Sequence, residues 1–432
     1  MIGVLKRQPP ARIIALGFLM LIFLGAGLLM LPCSVKDGVE LKFIDSLYTS
    51  TSAVCVTGLV VVDAADTFTL FGQIVLAVLI QFGGLGVTTV GAGIILAMGK
   101  KVNLKGRTLI REAMNVGSGK GLIKLIREIF FVTIIIEALG AILSFTVFVQ
   151  DYSPPRALWI SIFHSIAAFN NAGFDVLGGF QSLIPYKDNI LINIVTCVLI
   201  FFGGIGFLVI REVWDKKLNF KKFSMHTKVV LSMSAILIVS GAVLIKLSEE
   251  ISWLGAFFAS ISARTAGFST YSFGGFSKAG ILVMSVLMLI GASPGSTGGG
   301  VKTTTFFVMI KGIFSAATNR SEKAFRYSVP KEAFKKASVI IFMALGIICI
   351  GVYLMCLFEP AIDFVDIVFE NVSAFATVGL STGITPGLGI DSKILSIIIM
   401  YIGRLGPMTI ATLWYFSKGE RISYPEGNIT IG

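Results

Sequence analysis

Apolar residues along this chain fall into long and short runs that alternate in a repeated order. Four times, a run of about 20 residues or more is followed by one of about 12, a glycine-containing turn and another long run. A helix of about 20 residues crosses a bilayer, whereas about 12 residues rise roughly 18 Å, about half of the hydrocarbon thickness. The pattern therefore predicts an all-α membrane protein in which four short helices enter the bilayer and turn back.

Each repeat is predicted as a helix, a pore loop with its half-helix, and a second helix (M1-P-M2). The four repeats are assigned to residues 12–100, 121–213, 226–315 and 335–418, with a cytoplasmic C-terminal tail at 419–432. The second long helices are predicted over 68–98, 189–210, 280–310 and 393–416, with an interruption expected only in the third. Irregular backbone is not tolerated against lipid at mid-membrane depth, so the four turns must line a cavity or be buried. We expect them to surround one central pore with pseudo-fourfold symmetry.

A short motif ending in glycine occupies each turn. The four copies are Val56-Thr57-Gly58, Asn171-Ala172-Gly173, Thr265-Ala266-Gly267 and Thr377-Val378-Gly379. Glycine permits backbone angles that are closed to residues with a Cβ, so successive carbonyls can point towards one axis. The half-helices aim their C-terminal ends at that axis, and the partial negative charge of these ends favours a cation. The motifs predict a filter in which carbonyl oxygens replace the hydration shell of an ion.

The second long helices carry glycines at similar distances from the filter glycines. These residues are Gly83, Gly203, Gly291 and Gly403. Small residues often serve close helix packing in membranes. The repeated spacing additionally favours a fourfold repeat of the whole unit.

Composition and charge agree with this class and exclude others. The chain is 55% hydrophobic and 14% charged, and it has two histidines and five scattered cysteines. No metal-ligand spacing and no nucleophile–base pair is present, so we expect no enzyme. The net charge of +12 is concentrated in basic stretches at 1–12, 100–127, 211–228, 311–336 and 418–421. The positive-inside rule places these stretches and both termini in the cytoplasm. We therefore interpret the basic charge as a topology signal and expect no nucleic-acid partner.

Two features break the fourfold pattern near the filter. The run from Gly291 to Gly300, with Pro294 inside it, cannot sustain a regular helix. Arg404 lies in an otherwise apolar helix, where a charge is costly and usually functional. Placed under a cation filter it would repel ions; the alternative is an ion pair with Glu370 away from the pore. A phosphate-binding loop is disfavoured, because Gly295 to Lys302 is one residue too long for that motif and no predicted strand precedes it.

Together these features resemble the Trk/Ktr/HKT superfamily of potassium transporters, and its KtrB-type membrane subunits in particular. The resemblance covers residues 12–432 and implies potassium uptake, with Gly58 favouring potassium over sodium. It also implies that an intramembrane loop at about 292–302 and Arg404 form the gate. The predicted gate residues are Arg404, Gly291, Gly295, Ser296, Thr297, Gly298, Gly299, Gly300 and Lys302.

The resemblance further implies partners and a location. These are a homodimer in the bacterial plasma membrane and a cytosolic KtrA-like ring of RCK domains, which would bind ATP or ADP in place of this chain. K⁺ is then the substrate, and a role for Na⁺ as an activator stays open. The alternative function is a sodium-coupled cation carrier with alternating access, which the common orientation of the four repeats disfavours.

Overall fold

The computed structural model describes residues 9–98, 104–113, 121–320 and 323–412. Over these residues the chain is mostly helical, with one antiparallel hairpin between Lys323–Ala324 and Tyr327–Ser328. The prediction of an all-α membrane protein is confirmed. The predicted tail at 419–432 lies outside the described residues.

Each unit begins with a long helix, which we call the outer helix. The outer helices are Pro10–Leu29, Leu122–Phe148, Met225–Ser248 and Lys331–Phe358. The described residues contain four helices long and apolar enough to cross a membrane, or up to six if two sharply bent pairs each count as one span. The chain is thus a multi-pass membrane protein.

A shorter helix, which we call the half-helix, follows each outer helix. The half-helices are Phe43–Cys55, Pro154–Phe169, Trp253–Ser262 and Phe364–Ala376. They have 13, 16, 10 and 13 residues, too few to span a bilayer. Each packs closely against a glycine of its own outer helix; at Gly140, for example, a Cβ would lie 2.5 Å from Ser165 Oγ.

The second long helices, which we call inner helices, differ from the sequence prediction. In three units the predicted continuous helix is broken in two. The pairs are Leu70–Leu85 with Val87–Ala97, Ile190–Ile205 with Phe207–Asp215, and Ile390–Leu405 with Pro407–Thr412. The first two pairs bend by 99° and 97°.

One glycine accounts for each break. Gly86, Gly206 and Gly406 have φ of 84°, 91° and 85° with ψ of 132°, 141° and 139°. A side chain with a Cβ does not adopt this conformation without strain, so only glycine allows the chain to turn there. The prediction of an unbroken helix in these three units was wrong, because the glycine runs were interpreted as packing and repeat signals and not as places where the chain turns.

The inner helix of the third unit is interrupted differently. It consists of Lys278–Leu289 and Thr303–Thr318, with non-helical residues 290–302 between them. A hydrogen bond from the Gly291 N–H to the Val301 carbonyl, at 2.8 Å, joins the two ends of this segment. Gly291 therefore does not match the other inner-helix glycines. Those glycines, Gly83, Gly203 and Gly403, lie against the last carbonyls of their own half-helices.

Short elements connect these helices. They are the helices Ala64–Thr67 and Leu104–Ala113 and the 3-10 turns Ile184–Tyr186, Phe220–Lys222, Phe273–Gly275 and Thr385–Gly387. The first and last units also meet directly. Lys393 Nζ lies 2.7 Å from Asp45 Oδ1, and each side chain is only 13% exposed. The hydroxyl of Tyr401 donates to the Ala15 carbonyl at 2.7 Å. These bonds close the arrangement of units into a ring.

Candidate functional site

The four filter motifs share one pattern of positive backbone φ angles. Each begins with a residue in the left-handed region at the C-terminal end of a half-helix, and its glycine, two residues later, also has positive φ. The first residues are Val56, Asn171, Thr265 and Thr377, with φ of 56°, 58°, 71° and 51°, and the glycines have φ of 92°, 66°, 81° and 94°. Left-handed angles are uncommon for residues with a Cβ, so their recurrence at four equivalent places points to one shared local structure.

The four filter glycines lie against one another in a closed ring. A Cβ added at Gly58 would lie 2.9 Å from Gly173 Cα, and one at Gly173 would lie 2.9 Å from Gly267 Cα. A Cβ at Gly267 would lie 3.2 Å from Gly379 Cα, and one at Gly379 would lie 2.8 Å from Gly58 Cα. The units therefore follow one another around the ring in chain order. No position of the ring has room for a side chain.

Carbonyl oxygens occupy the gaps between these glycines. The residue before each glycine places its carbonyl oxygen against the glycine of the preceding unit. These oxygens belong to Thr57, Ala172, Ala266 and Val378. The side chains of these residues are fully buried, so only backbone is presented at this level. The structure thus brings together all twelve residues predicted for the filter.

Residues 290–302 lie against the ring at the ends of two half-helices. The Gly299 N–H donates to Thr377 Oγ1 at 3.1 Å, and a Cβ at Gly298 would overlap the Thr265 hydroxyl. Because Thr265 and Thr377 are the first residues of two filter motifs, this segment packs directly against the half-helix side of the filter.

Further hydrogen bonds hold the segment to the second unit. Thr297 bonds to the Gly203 carbonyl through both its N–H, at 3.2 Å, and its hydroxyl, at 3.1 Å. The Phe207 N–H, just after the bend in the second inner helix, donates to the Gly295 carbonyl at 3.0 Å. The bend and the segment are therefore built around each other.

Lys302 folds back over the segment. Its Nζ donates to the Gly298 carbonyl at 2.7 Å and to the Gly299 carbonyl at 3.3 Å. The ammonium group thus offsets the partial negative charge of these carbonyl oxygens next to the filter. The predicted gate residues within the segment and at its end all belong to this structure: Gly291, Gly295, Ser296, Thr297, Gly298, Gly299, Gly300 and Lys302.

Arg404 connects three units. It lies on the fourth inner helix and donates from Nη1 to the Thr297 carbonyl and from Nη2 to the first inner helix, where the Gly84 carbonyl is 3.2 Å away. The alternative partner, Glu370, instead accepts a hydrogen bond from the Thr385 hydroxyl. The guanidinium group therefore stays a net positive charge held by backbone carbonyls beneath the filter.

A buried polar cluster behind the second filter segment was missed by the sequence analysis. Asn170 Nδ2 donates to Gln81 Oε1 at 2.8 Å and to Glu137 Oε1 at 3.1 Å. The Ser165 hydroxyl donates to the Glu137 carbonyl at 2.6 Å. The available signal was Glu137 itself, because a carboxyl group within an apolar run of membrane length is costly.

Three carboxylates lie in the segments that follow the first two filters. Asp63 Oδ2 accepts from the Phe180 N–H at 2.7 Å, and Asp66 Oδ2 accepts from the Gly179 N–H at 2.9 Å. Burial, together with the charges of Asp63 and Asp66, raises the pKa of Asp175 to about 6. These groups place negative charge at one end of the filter.

Comparison with known proteins identifies the family. The family pattern TrkH, described as "Cation transport protein", matches residues 12–249 and 222–419. The chain belongs to the TrkH family of cation transport proteins. Its members are transporters, so the chain is a membrane transport protein and not an enzyme.

Individual relatives match over nearly the whole chain. The Ktr system potassium uptake protein B of Bacillus subtilis is 38% identical over 99% of this chain and 97% of its own length. The protein of the same name from Vibrio alginolyticus is 36% identical over 98% and 94%. The potassium/sodium uptake protein NtpJ of Enterococcus hirae is 34% identical over 99% and 98%.

A solved structure shares the fold. The potassium transporter TrkH from Vibrio parahaemolyticus superposes with a TM-score of 0.73 at 17% identity, covering 95% of this chain and 87% of that protein. At this identity the likeness concerns the fold alone. The described helices therefore follow an architecture already seen in a transporter of this family.

Proposed function

We propose that this protein lets K⁺ cross the plasma membrane selectively, through the ring formed by the four filter segments. The closed contact of Gly58, Gly173, Gly267 and Gly379 carries this proposal. An ion that passes between them meets four equivalent peptide carbonyls at one level, and such a ring can replace the water around a dehydrated cation.

The charge distribution favours a monovalent cation. Four half-helices end at the ring, and their C-terminal ends carry partial negative charge. The filter motifs contain no acidic side chain, whereas divalent-cation pores use carboxylate rings. Three relatives named for potassium uptake, or potassium and sodium uptake, support K⁺ as the substrate, and NtpJ keeps Na⁺ open as a second transported ion or an activator.

The gate in this proposal is the segment 290–302 together with Arg404. The segment contacts two filter motifs, and Arg404 holds its Thr297 carbonyl. A loop in the path blocks it sterically, and a cationic group there raises the electrostatic barrier for K⁺. Opening then requires this segment to move away from the filter.

The relatives belong to Ktr systems, which supports a second subunit for this chain as well. We assign the basic cytoplasmic face to a cytosolic KtrA-like RCK ring that carries the ATP or ADP site. In the same proposal the chain forms a homodimer with both termini in the cytoplasm. The predicted basic stretches at 211–228 and 311–336 are the surfaces available for this contact.

The test is uptake of ⁴²K⁺ and ²²Na⁺ into liposomes containing the purified protein, with and without a cytosolic nucleotide-binding subunit. We expect K⁺ uptake driven by its own gradient in the absence of Na⁺, exceeding Na⁺ uptake by about tenfold or more. Equal uptake of both ions would contradict a K⁺ filter. Uptake that requires Na⁺ and shows counterflow would instead support the sodium-coupled carrier.

A further inference from the structure

Two serines on the half-helices lie directly behind the filter backbone. The Gly58 N–H donates to Ser52 Oγ at 3.0 Å, and the Gly379 N–H donates to Ser373 Oγ at 3.1 Å. Both side chains are fully buried. Each serine precedes its filter glycine by six residues, so the first and fourth units make the same contact independently.

This contact controls the direction of a carbonyl in the ring. The N–H of Gly58 and the C=O of Thr57 belong to one planar trans peptide, and they point in opposite directions. A hydroxyl that accepts the N–H from behind therefore holds the Thr57 oxygen on the opposite side. That oxygen is one of the four that lie between the filter glycines.

The second and third units are built differently at this point. A backbone hydrogen bond to the residue five positions earlier identifies the residue that corresponds to Ser52. In the first unit the Thr57 N–H donates to the Ser52 carbonyl at 2.8 Å, and in the second the Ala172 N–H donates to the Ala167 carbonyl at 2.8 Å, so Ala167 corresponds to Ser52. Alanine offers no hydroxyl. In the third unit the corresponding hydrogen bond, from the Ala266 N–H to the Ser262 carbonyl at 2.9 Å, spans four residues, and Ser262 donates its hydroxyl to the Phe268 carbonyl.

From this difference we propose that Ser52 and Ser373 are positioning residues for selectivity, which fix the carbonyls of Thr57 and Val378 as ion ligands. The inference rests on the proposed K⁺ filter. The first and fourth units are neighbours in the ring, so one side of the filter has carbonyls fixed by a hydroxyl. The carbonyl of Ala172, opposite the fourth unit, lacks this constraint. Discrimination between K⁺ and Na⁺ then depends on the fixed pair, because a carbonyl that turns away loses its place around the larger ion.

The experiment measures the ratio of K⁺ to Na⁺ uptake in liposomes made from one preparation of each variant. Ser52→Ala and Ser373→Ala should each lower the ratio about fivefold, the size expected for one hydrogen bond. The double variant should lower it by about the product of the two if they act independently. Ser52→Thr keeps a hydroxyl and should restore most of the ratio.

The matched control is Ser50→Ala. Ser50 is a fully buried serine on the same half-helix, but its hydroxyl donates to the Ile22 carbonyl of the outer helix at 2.7 Å. Its removal should leave the ratio unchanged. Misfolded protein lowers both fluxes together and does not move the ratio, so a purely structural role for Ser52 is distinguishable from a positioning role.

Two results would overturn the inference. One is an unchanged ratio in both Ser52→Ala and Ser373→Ala; the other is a loss of equal size in Ser50→Ala. The K⁺/Na⁺ ratio of the parent protein distinguishes failure of this inference from failure of the proposed function. If the parent itself does not prefer K⁺, the filter proposal fails; if it does and the serine variants keep that preference, only the role of the serines is wrong.

Discussion

The ring of filter glycines and the layer next to it on the half-helix side are built differently. In the ring, four segments repeat one pattern of positive φ angles and touch one another through equivalent atoms. In the adjoining layer, three inner helices turn at one glycine each, whereas the third unit inserts residues 290–302.

In the proposed function, this difference separates two tasks within one chain. Surrounding an ion requires ligands on every side at equal distance, which repetition supplies. Obstructing the path requires one object on the axis, which fourfold repetition cannot supply, because four copies of a loop would not fit there. The third unit departs from the pattern, and Arg404 in the fourth unit completes the asymmetry.

The largest effect should come from shortening the segment. We expect deletion of residues 296–300 to raise K⁺ uptake about 30-fold, equivalent to a barrier lower by roughly 2 kcal/mol, while the K⁺/Na⁺ ratio stays the same. The reason is that the deletion removes the obstruction and leaves the ring intact. Liposome flux measures both quantities. Unchanged uptake in a protein that elutes as a single species would show that the segment is not the barrier.

Gly58→Ser alters the ring and leaves the segment 290–302 unchanged in sequence. Its Cβ would lie 2.5 Å from the Ala172 carbonyl oxygen, so the ring must distort. We expect the K⁺/Na⁺ uptake ratio to fall about tenfold, a cost of about 1.4 kcal/mol in discrimination. Gly27→Ser is the control, because a Cβ at that helical position meets nothing within 4 Å. A Gly58→Ser protein with an unchanged K⁺/Na⁺ uptake ratio would contradict the assignment of the filter.

Arg404→Ala removes the charge but leaves the segment in place. At an effective dielectric constant of 20, one charge about 10 Å from the ion contributes roughly 1–2 kcal/mol. Since the carbonyl bonds are also lost, we expect K⁺ uptake to rise about fivefold without a change in the ratio. Arg404→Lys keeps the charge and should stay close to the parent. A rise of the same size in the lysine variant would assign the effect to lost hydrogen bonds instead.

Gly406→Ala tests the glycine bend that the first, second and fourth units have and the third unit lacks. Nothing lies within 4 Å of a Cβ at Gly406 or at the helical Gly91, so neither substitution causes a steric clash, but only Gly406 has a positive φ. We expect Gly406→Ala to lower stability by about 1–2 kcal/mol, because its φ is positive. Gly91→Ala should stabilise the helix by about 0.5–1 kcal/mol. Thermal unfolding in detergent compares them, and equal midpoints would argue against strain at the bend.

The smallest effect should come from Asp175, in the segment that follows the second filter. Because its pKa is raised to about 6, the carboxyl group is charged at pH 7.5 and becomes protonated at pH 5. At an effective dielectric constant between about 40 and 80, a charge about 10 Å away contributes roughly 0.4–0.8 kcal/mol, so K⁺ uptake at low K⁺ should fall about two- to fourfold over this range. Asp175→Asn should show the lower rate at both pH values, and a retained pH step in that variant would assign the step to another group.

The hydrophobic pattern was sufficient to predict the helices that depend on length alone. The short runs of about 12 residues became half-helices of 13, 16, 10 and 13 residues. Run length and a terminal glycine are local properties of the chain, and the bilayer turns length directly into topology. The four glycine-containing turns were recognisable for the same reason.

The bends and the contacts were decided only by tertiary structure. The sequence places glycines at both Gly83 and Gly86, but only the packed molecule decides that Gly83 meets the Val54 carbonyl while Gly86 turns the chain. Likewise, the sequence left two partners open for Arg404. An apolar helix and a glycine run tolerate several arrangements of similar energy, and the choice among them depends on which carbonyls distant units bring within reach.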